Sequence, residues 1–104
     1  MLNNNWDEVV ERCGVILTNG ASVEFKNNHP EPSKHFLITE EDIDSVGLSN
    51  IACFWHSHPS NDVNLSLDDY QMFLKYPDHI HRIYSAFDSA DYYVRRNLVM
   101  RVEK

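Results

Sequence analysis

Ile51-Ala52-Cys53-Phe54-Trp55-His56-Ser57-His58-Pro59 is the stretch on which the reading of this chain turns. Its first five residues form a continuous apolar run with the length of a buried strand, and the run delivers the chain directly to His56. Alternate side chains of a strand point to the same side. His56 and His58, one residue apart at the strand's end, can therefore turn both imidazoles toward one metal ion.

Downstream, a polar loop leads to Ser66, where a helix begins; Tyr70, Phe73 and Leu74 are expected to share its buried face, and Pro77 ends it. Two or three strands should follow, around Ile83-Tyr84-Ser85-Ala86-Phe87, Tyr92-Tyr93-Val94 and Leu98-Val99-Met100-Arg101-Val102. Upstream, Gly14-Val15-Ile16-Leu17-Thr18 and Ala21-Ser22-Val23-Glu24-Phe25 flank Asn19-Gly20, a pair suited to the positive backbone angles of a tight hairpin turn. Before the hairpin, Asn5 can cap a short helix with Glu8 three residues on. Trp6, Val9, Val10 and Cys13 recur there at the spacing of one helical face, and Gly14 marks a change of element. Lys26 to Lys34, rich in Asn and Pro, reads as a loop, His35-Phe36-Leu37-Ile38 as a short extended piece and Glu40 to Val46 as a brief helix. The expected class is mixed α/β (α+β), a curved sheet with about two helices.

The chain has 104 residues, enough for one domain spanning residues 1–104 that buries roughly two-thirds of its unfolded surface. Repeats, low-complexity tracts and Gly/Ser linkers are absent from the sequence. No apolar run approaches the roughly 18 residues needed to cross a bilayer, so no membrane partner is expected. Met1-Leu2-Asn3-Asn4-Asn5 has neither a basic segment nor an apolar stretch, which predicts a cytoplasmic protein. A net charge of −7, spread along the chain, would repel phosphate backbones and argues against nucleic acid as a partner. Cys13 and Cys53 each sit in an apolar run and read as reduced core residues.

Asp69 lies eleven positions after His58, in the first turn of the expected helix, where the intervening loop can bring its carboxylate beside the two imidazoles. Two nitrogen ligands and one oxygen ligand leave a fourth position open, the arrangement of a catalytic rather than a structural zinc site. Zinc accepts both ligand types and lowers the pKa of bound water to about 7. A carboxylate off the metal would then move the proton, and a donor such as Ser66 would stabilise developing negative charge. Ser66-Leu67-Asp68-Asp69 reads equally well as a capping box, in which the serine caps the helix and the acidic side chain favours its positive end. A second pair, His79-Ile80-His81, has Asp88 and Asp91 as its nearest downstream carboxylates, placed in a polar turn, and is expected to be a solvated strand entry. His29 and His35 offer no ligand partner and are expected on the surface or in a hydrogen-bonded pocket.

His56-Ser57-His58-Pro59 followed by Ser66-Leu67-Asp68-Asp69 resembles the JAMM (MPN, JAB) metalloprotease family, whose pattern is His-x-His-Pro, a variable loop, then Ser-x-x-Asp. Glu11-Arg12-Cys13-Gly14-Val15-Ile16-Leu17 looks like the upstream Glu-x-Cys-Gly segment of its bacterial and phage members. The resemblance implies a cytidine-deaminase-like JAMM/MPN fold and one zinc per chain held by His56, His58 and Asp69. It also implies Glu11 as general base, Ser66 as oxyanion donor, and hydrolysis of an amide bond in a peptide or protein substrate. Spacing alone does not nominate Glu11, which would otherwise read as an exposed carboxylate ending a short helix. Within the family, the short form looks most like the JAMM domain of phage tail assembly proteins related to the lambda tail protein K. Tail proteins thereby become candidate partners, and the bacterial host cytoplasm or the virion a candidate location. A non-catalytic assembly module that retains the zinc site and an isopeptidase acting on a ubiquitin-like protein are the alternatives.

Overall fold

The computed structural model describes residues 10–58, 65–86 and 88–103. Six strands, β1 (Cys13–Leu17), β2 (Ser22–Phe25), β3 (Ile51–Ser57), β4 (Ile80–Tyr84), β5 (Ser89–Arg95) and β6 (Leu98–Arg101), form one sheet in the order β2-β1-β3-β4-β5-β6. Every pairing is antiparallel except that of β3 with β4. That parallel pair needs a crossover, and α2 (Leu67–Lys75) lies within it; α1 (Glu40–Val46) precedes β3. Among the described residues the result is an α+β fold with a mixed sheet and two α-helices, and no helix among them is long and apolar enough to cross a membrane.

The register shows which face is covered. Cys13 pairs with His56, His56 with Ile83 and Ile83 with Ala90; one row further on, Val15, Phe54, His81 and Tyr92 are aligned. Ile43 of α1 packs with Cys13, Val15 and Phe54, while Phe73 of α2 packs with Ile83, Ala90 and Tyr92. Cross-strand partners share a face, so both helices cover the face that carries His56. The opposite face presents Gly14, Trp55, Arg82 and Asp91, which alternate with these residues.

The hairpin expected at Asn19-Gly20 is present, but only Gly20 takes a positive φ, of 90°. Asn19 instead uses its side-chain oxygen to accept the Ala21 N–H at 2.9 Å, and the Leu17 N–H reaches the Ala21 carbonyl at 2.8 Å. The turn with two positive angles is Arg96-Asn97, φ 53° and 65°, which joins β5 to β6. The brief helix spans Glu40–Val46 as expected, capped reciprocally by Thr39 and Asp42.

Four expectations need correction. Most of the helix expected from Asn5 lies outside the described residues, but Cys13, assigned to its face, opens β1, in register with Phe25 of β2 and His56 of β3. Gly14 accordingly sits inside a strand, where a Cβ would come within 2.7 Å of the Trp55 ring and would also collide with the Val23 carbonyl oxygen. On α2, Phe73 is buried but Tyr70 and Leu74 are exposed; the inward face carries Asp69, Met72, Phe73 and Tyr76. Finally, β4 starts at Ile80, so His81 is a core residue at 1% exposure rather than a solvated entry, and Asp91 lies in β5, bonded to Arg82 at 2.6 and 3.0 Å. Phe87, the end of the strand expected from Ile83, lies outside the described residues.

His81 stacks on Phe54 and Phe73, with ring centroids 5.5 and 4.6 Å away, and its Nε2–H donates to the Tyr76 carbonyl at 2.8 Å. Burial is the main cause that pushes its pKa down to about 4, reinforced by His79 and His56 against the Tyr76 bond. The unfolded chain takes up this proton near pH 6.5, before the folded one does. His81 therefore contributes stability in full above pH 6.5, and that stability is lost as pH falls toward 4, a change on the order of 3 kcal/mol. Urea midpoints between pH 4 and 7 should fall more steeply for wild type than for His81→Leu; parallel slopes would contradict the assignment. Cys13 and Cys53 are free and buried, on opposite faces of the sheet, and burial pushes their thiols up to about 12 and about 11. Gly14→Ala should cost roughly 3 kcal/mol by overpacking, measured by urea denaturation, with tolerance of the alanine as the contrary result.

Candidate metal centre

The β1/β3 register builds the site. Because Cys13 pairs with His56, continuation of the antiparallel ladder by two residues sets Glu11 opposite His58. The bonds that carry it on are present: the Ser57 N–H donates to the Arg12 carbonyl at 2.8 Å and the Arg12 N–H to Ser57 Oγ at 2.9 Å. Glu11, Cys13, His56 and His58 thus project from one face. The side-chain donor atoms of Glu11, His56 and His58 lie within 4.8 Å of one another.

The fourth side chain comes from α2. Ser66 caps this helix, its Oγ accepting the Asp69 N–H at 3.3 Å, while Asp69 Oδ2 accepts the Ser66 N–H at 2.7 Å. The capping box fixes the Asp69 carboxylate, whose Oδ1 lies 2.6 Å from His56 Nε2 and whose Oδ2 lies 3.2 Å from His58 Nε2. The capping box is thus present, and it holds the Asp69 carboxylate against both imidazoles, so the cap is compatible with the expected ligand position. Ser66 is exposed and is tied to the group through Asp69.

Asp69 is fully buried and His56 is 2% exposed. Burial raises the carboxyl pKa, but the close approach of the His56 and His58 imidazoles and the bond from the Ser66 N–H outweigh it and hold Asp69 well below the usual carboxylate range. Burial lowers the pKa of His56 against the opposing pull of Asp69, which favours the neutral, lone-pair-bearing imidazole. Glu11, also buried, is pushed up to about 7, chiefly by burial. Although His56 Nε2 and Asp69 Oδ1 approach so closely, neither has a partner in hydrogen-bonding geometry. Two buried polar atoms facing each other without a proper bond, in a set of two imidazoles and carboxylates, are the donor arrangement that suits a divalent cation such as zinc.

The loop before α1 supports the site. Phe36 stacks on the His56 ring, centroids 4.1 Å apart and planes 17° from parallel. The Asn27 side-chain amide donates to the Glu11 and His35 carbonyls at 2.8 Å each, and its oxygen accepts the His29 and Leu37 N–H groups. His35–Ile38 is thereby held outside any strand. His35 occupies a hydrogen-bonded pocket, its Nδ1 paired with Asp68 Oδ2; His29 Nδ1 accepts the Glu31 N–H at 3.0 Å. Sequence reasoning missed Phe36, Asn27 and the His35–Asp68 pair. The contacts are long-range, and the one local signal was Asn27 inside an Asn-rich loop. No comparable group of three forms around His79 and His81 among the described residues. Pro59 and the rest of the motif loop through Asn64 lie outside them.

The sequence matches none of the known family models and none of the curated proteins with which it was compared. Ser66→Ala should lose about 1 kcal/mol of metal-free stability through the cap and should also weaken metal binding by loosening Asp69. Denaturation and metal titration of the variant check both, and an unchanged midpoint would remove Ser66 from its capping role.

Proposed function

We propose that this chain is a zinc-dependent metallopeptidase or isopeptidase of the JAMM type, with the corresponding cytidine-deaminase-like fold, that hydrolyses an amide bond in a peptide or protein. The observation that carries the reading is the convergence of Glu11, His56, His58 and Asp69 from three separated segments on one buried point. His56, His58 and Asp69 would hold the metal, since Asp69 already touches both imidazoles, and Glu11 stands within reach as a further carboxylate. Zinc, when bound, supplies a Lewis acid and lowers the pKa of coordinated water to about 7.

The chain's own residues do the rest. Glu11 accepts a proton from the attacking water and returns it to the leaving amine. Ser66 Oγ is an acceptor toward the Asp69 N–H, which leaves its own O–H to donate to the oxygen that gains negative charge. Phe36 shields the His56 ring and limits water around the ligands. Phage tail assembly or peptide processing in a bacterial cytoplasm is the setting that the motif resemblance suggests.

A second reading, an assembly module that keeps the site without turnover, is favoured by the exposed Leu67, Tyr70 and Leu74 of α2. Purified protein should carry about one zinc per chain. Glu11→Gln should retain it while cleavage of a peptide library falls roughly a hundred- to ten-thousandfold. Failure of apo protein to take up zinc would defeat the proposal. Bound zinc without cleavage, and with no effect of Glu11→Gln, would favour the assembly reading.

A further inference from the structure

A groove of about 280 Å³ runs beside the centre, between α2 and the loop that carries Phe36. One wall is a single helical face, Asp68, Gln71, Met72 and Lys75, at spacings of three, four and seven residues. Phe36 and Ile38 provide the apolar opposite side. The Asp68 end adjoins the centre, because Asp69 follows in sequence and Phe36, on the other wall, stacks on His56. From Asp68 to Lys75 the helix rises about 10 Å, the span of roughly three residues of extended peptide.

The ends of the groove differ in charge. Asp68 is paired with His35. Among the described residues, by contrast, no carboxylate pairs with Lys75, whose Nζ lies 5.6 Å from the Tyr76 ring centroid. In a chain of net charge −7, an unpaired cation at the far end of a groove with one apolar wall is a local exception to the surrounding field.

We infer that this groove seats the substrate, an extended peptide with apolar side chains next to the scissile bond and a carboxylate about three residues away that pairs with Lys75. The inference rests on the proposed hydrolase reading and adds to it a substrate class and a specificity-determining residue. Met72, Phe36 and Ile38 take the apolar side chains. The carboxylate belongs to an aspartate or glutamate side chain, and Lys75 meets it as a point charge.

Binding separates this inference from catalysis. Fluorescent hexapeptides with an apolar centre and Glu, Gln or Lys at the third residue to either side, each as free acid and as amide, are titrated into the zinc-loaded protein by anisotropy. Wild type should bind the Glu series roughly fivefold more tightly than the Lys series, the scale of one partly exposed ion pair. Lys75→Glu, a surface change, should invert that order and leave zinc content unchanged. Equal preferences in wild type and Lys75→Glu would overturn the inference, as would absence of binding. A preference seen with free acids alone would assign Lys75 to a terminal carboxylate and overturn the side-chain form. Peptide hydrolysis measured on the same series reports independently on the hydrolase reading.

Discussion

The Asp69 carboxylate, buried between His56 and His58, is the constraint on which the rest of the structure depends. An ionised carboxylate removed from water is costly unless its oxygens are satisfied. Here one oxygen faces His56, and the other is shared between His58 and the Ser66 N–H. To place it there, the chain must start α2 at Ser66 and turn the helix so that Asp69 points at the sheet. That rotation brings Phe73, four residues on, into the core and leaves Tyr70 and Leu74 outside. A divalent cation among these donors would relieve the misaligned contact between His56 and Asp69 that the protein alone does not resolve.

The same constraint explains what the sequence could and could not show. His56 and His58 were legible because a strand's two-residue period is local, and the apolar run before them identified the strand. Asp69 was legible by spacing, and its doubling as a cap partner proved compatible with the site. Glu11 was not legible from the residues around it. Its nearness to His58 arises from the β1/β3 register, which joins positions about 45 residues apart, and only a family resemblance singled it out. Apolar periodicity groups Tyr70 and Leu74 with Phe73 on α2, whereas the buried Asp69 carboxylate sets the helix's rotation. In sequence, a polar residue in a core looks like a residue at a surface, so His81 reads as solvated; the Phe54 and Phe73 rings and the Tyr76 carbonyl make its burial tolerable.

Stability and the site share the same strands. Gly14 lets Trp55 lie against β1 on the open face, and this close approach belongs to the ladder that places Glu11 and Cys13 beside His58 and His56. Asn27 ties the Glu11 backbone to the loop that carries Phe36, so the carboxylate and the ring cover over His56 are held by one side chain. Substitutions at Gly14 or Asn27 would thus act on the centre without touching a ligand atom.

The most direct test of the centre is a titration of metal-free protein with cobalt(II), which replaces zinc and reports its own coordination in the visible spectrum. A centre held by His56, His58 and Asp69 should saturate at about one equivalent, with the intense bands of a four-coordinate nitrogen and oxygen site, and lose them in His56→Ala and Asp69→Ala. Weak six-coordinate absorption, or a wild-type spectrum that survives in His56→Ala, would contradict it.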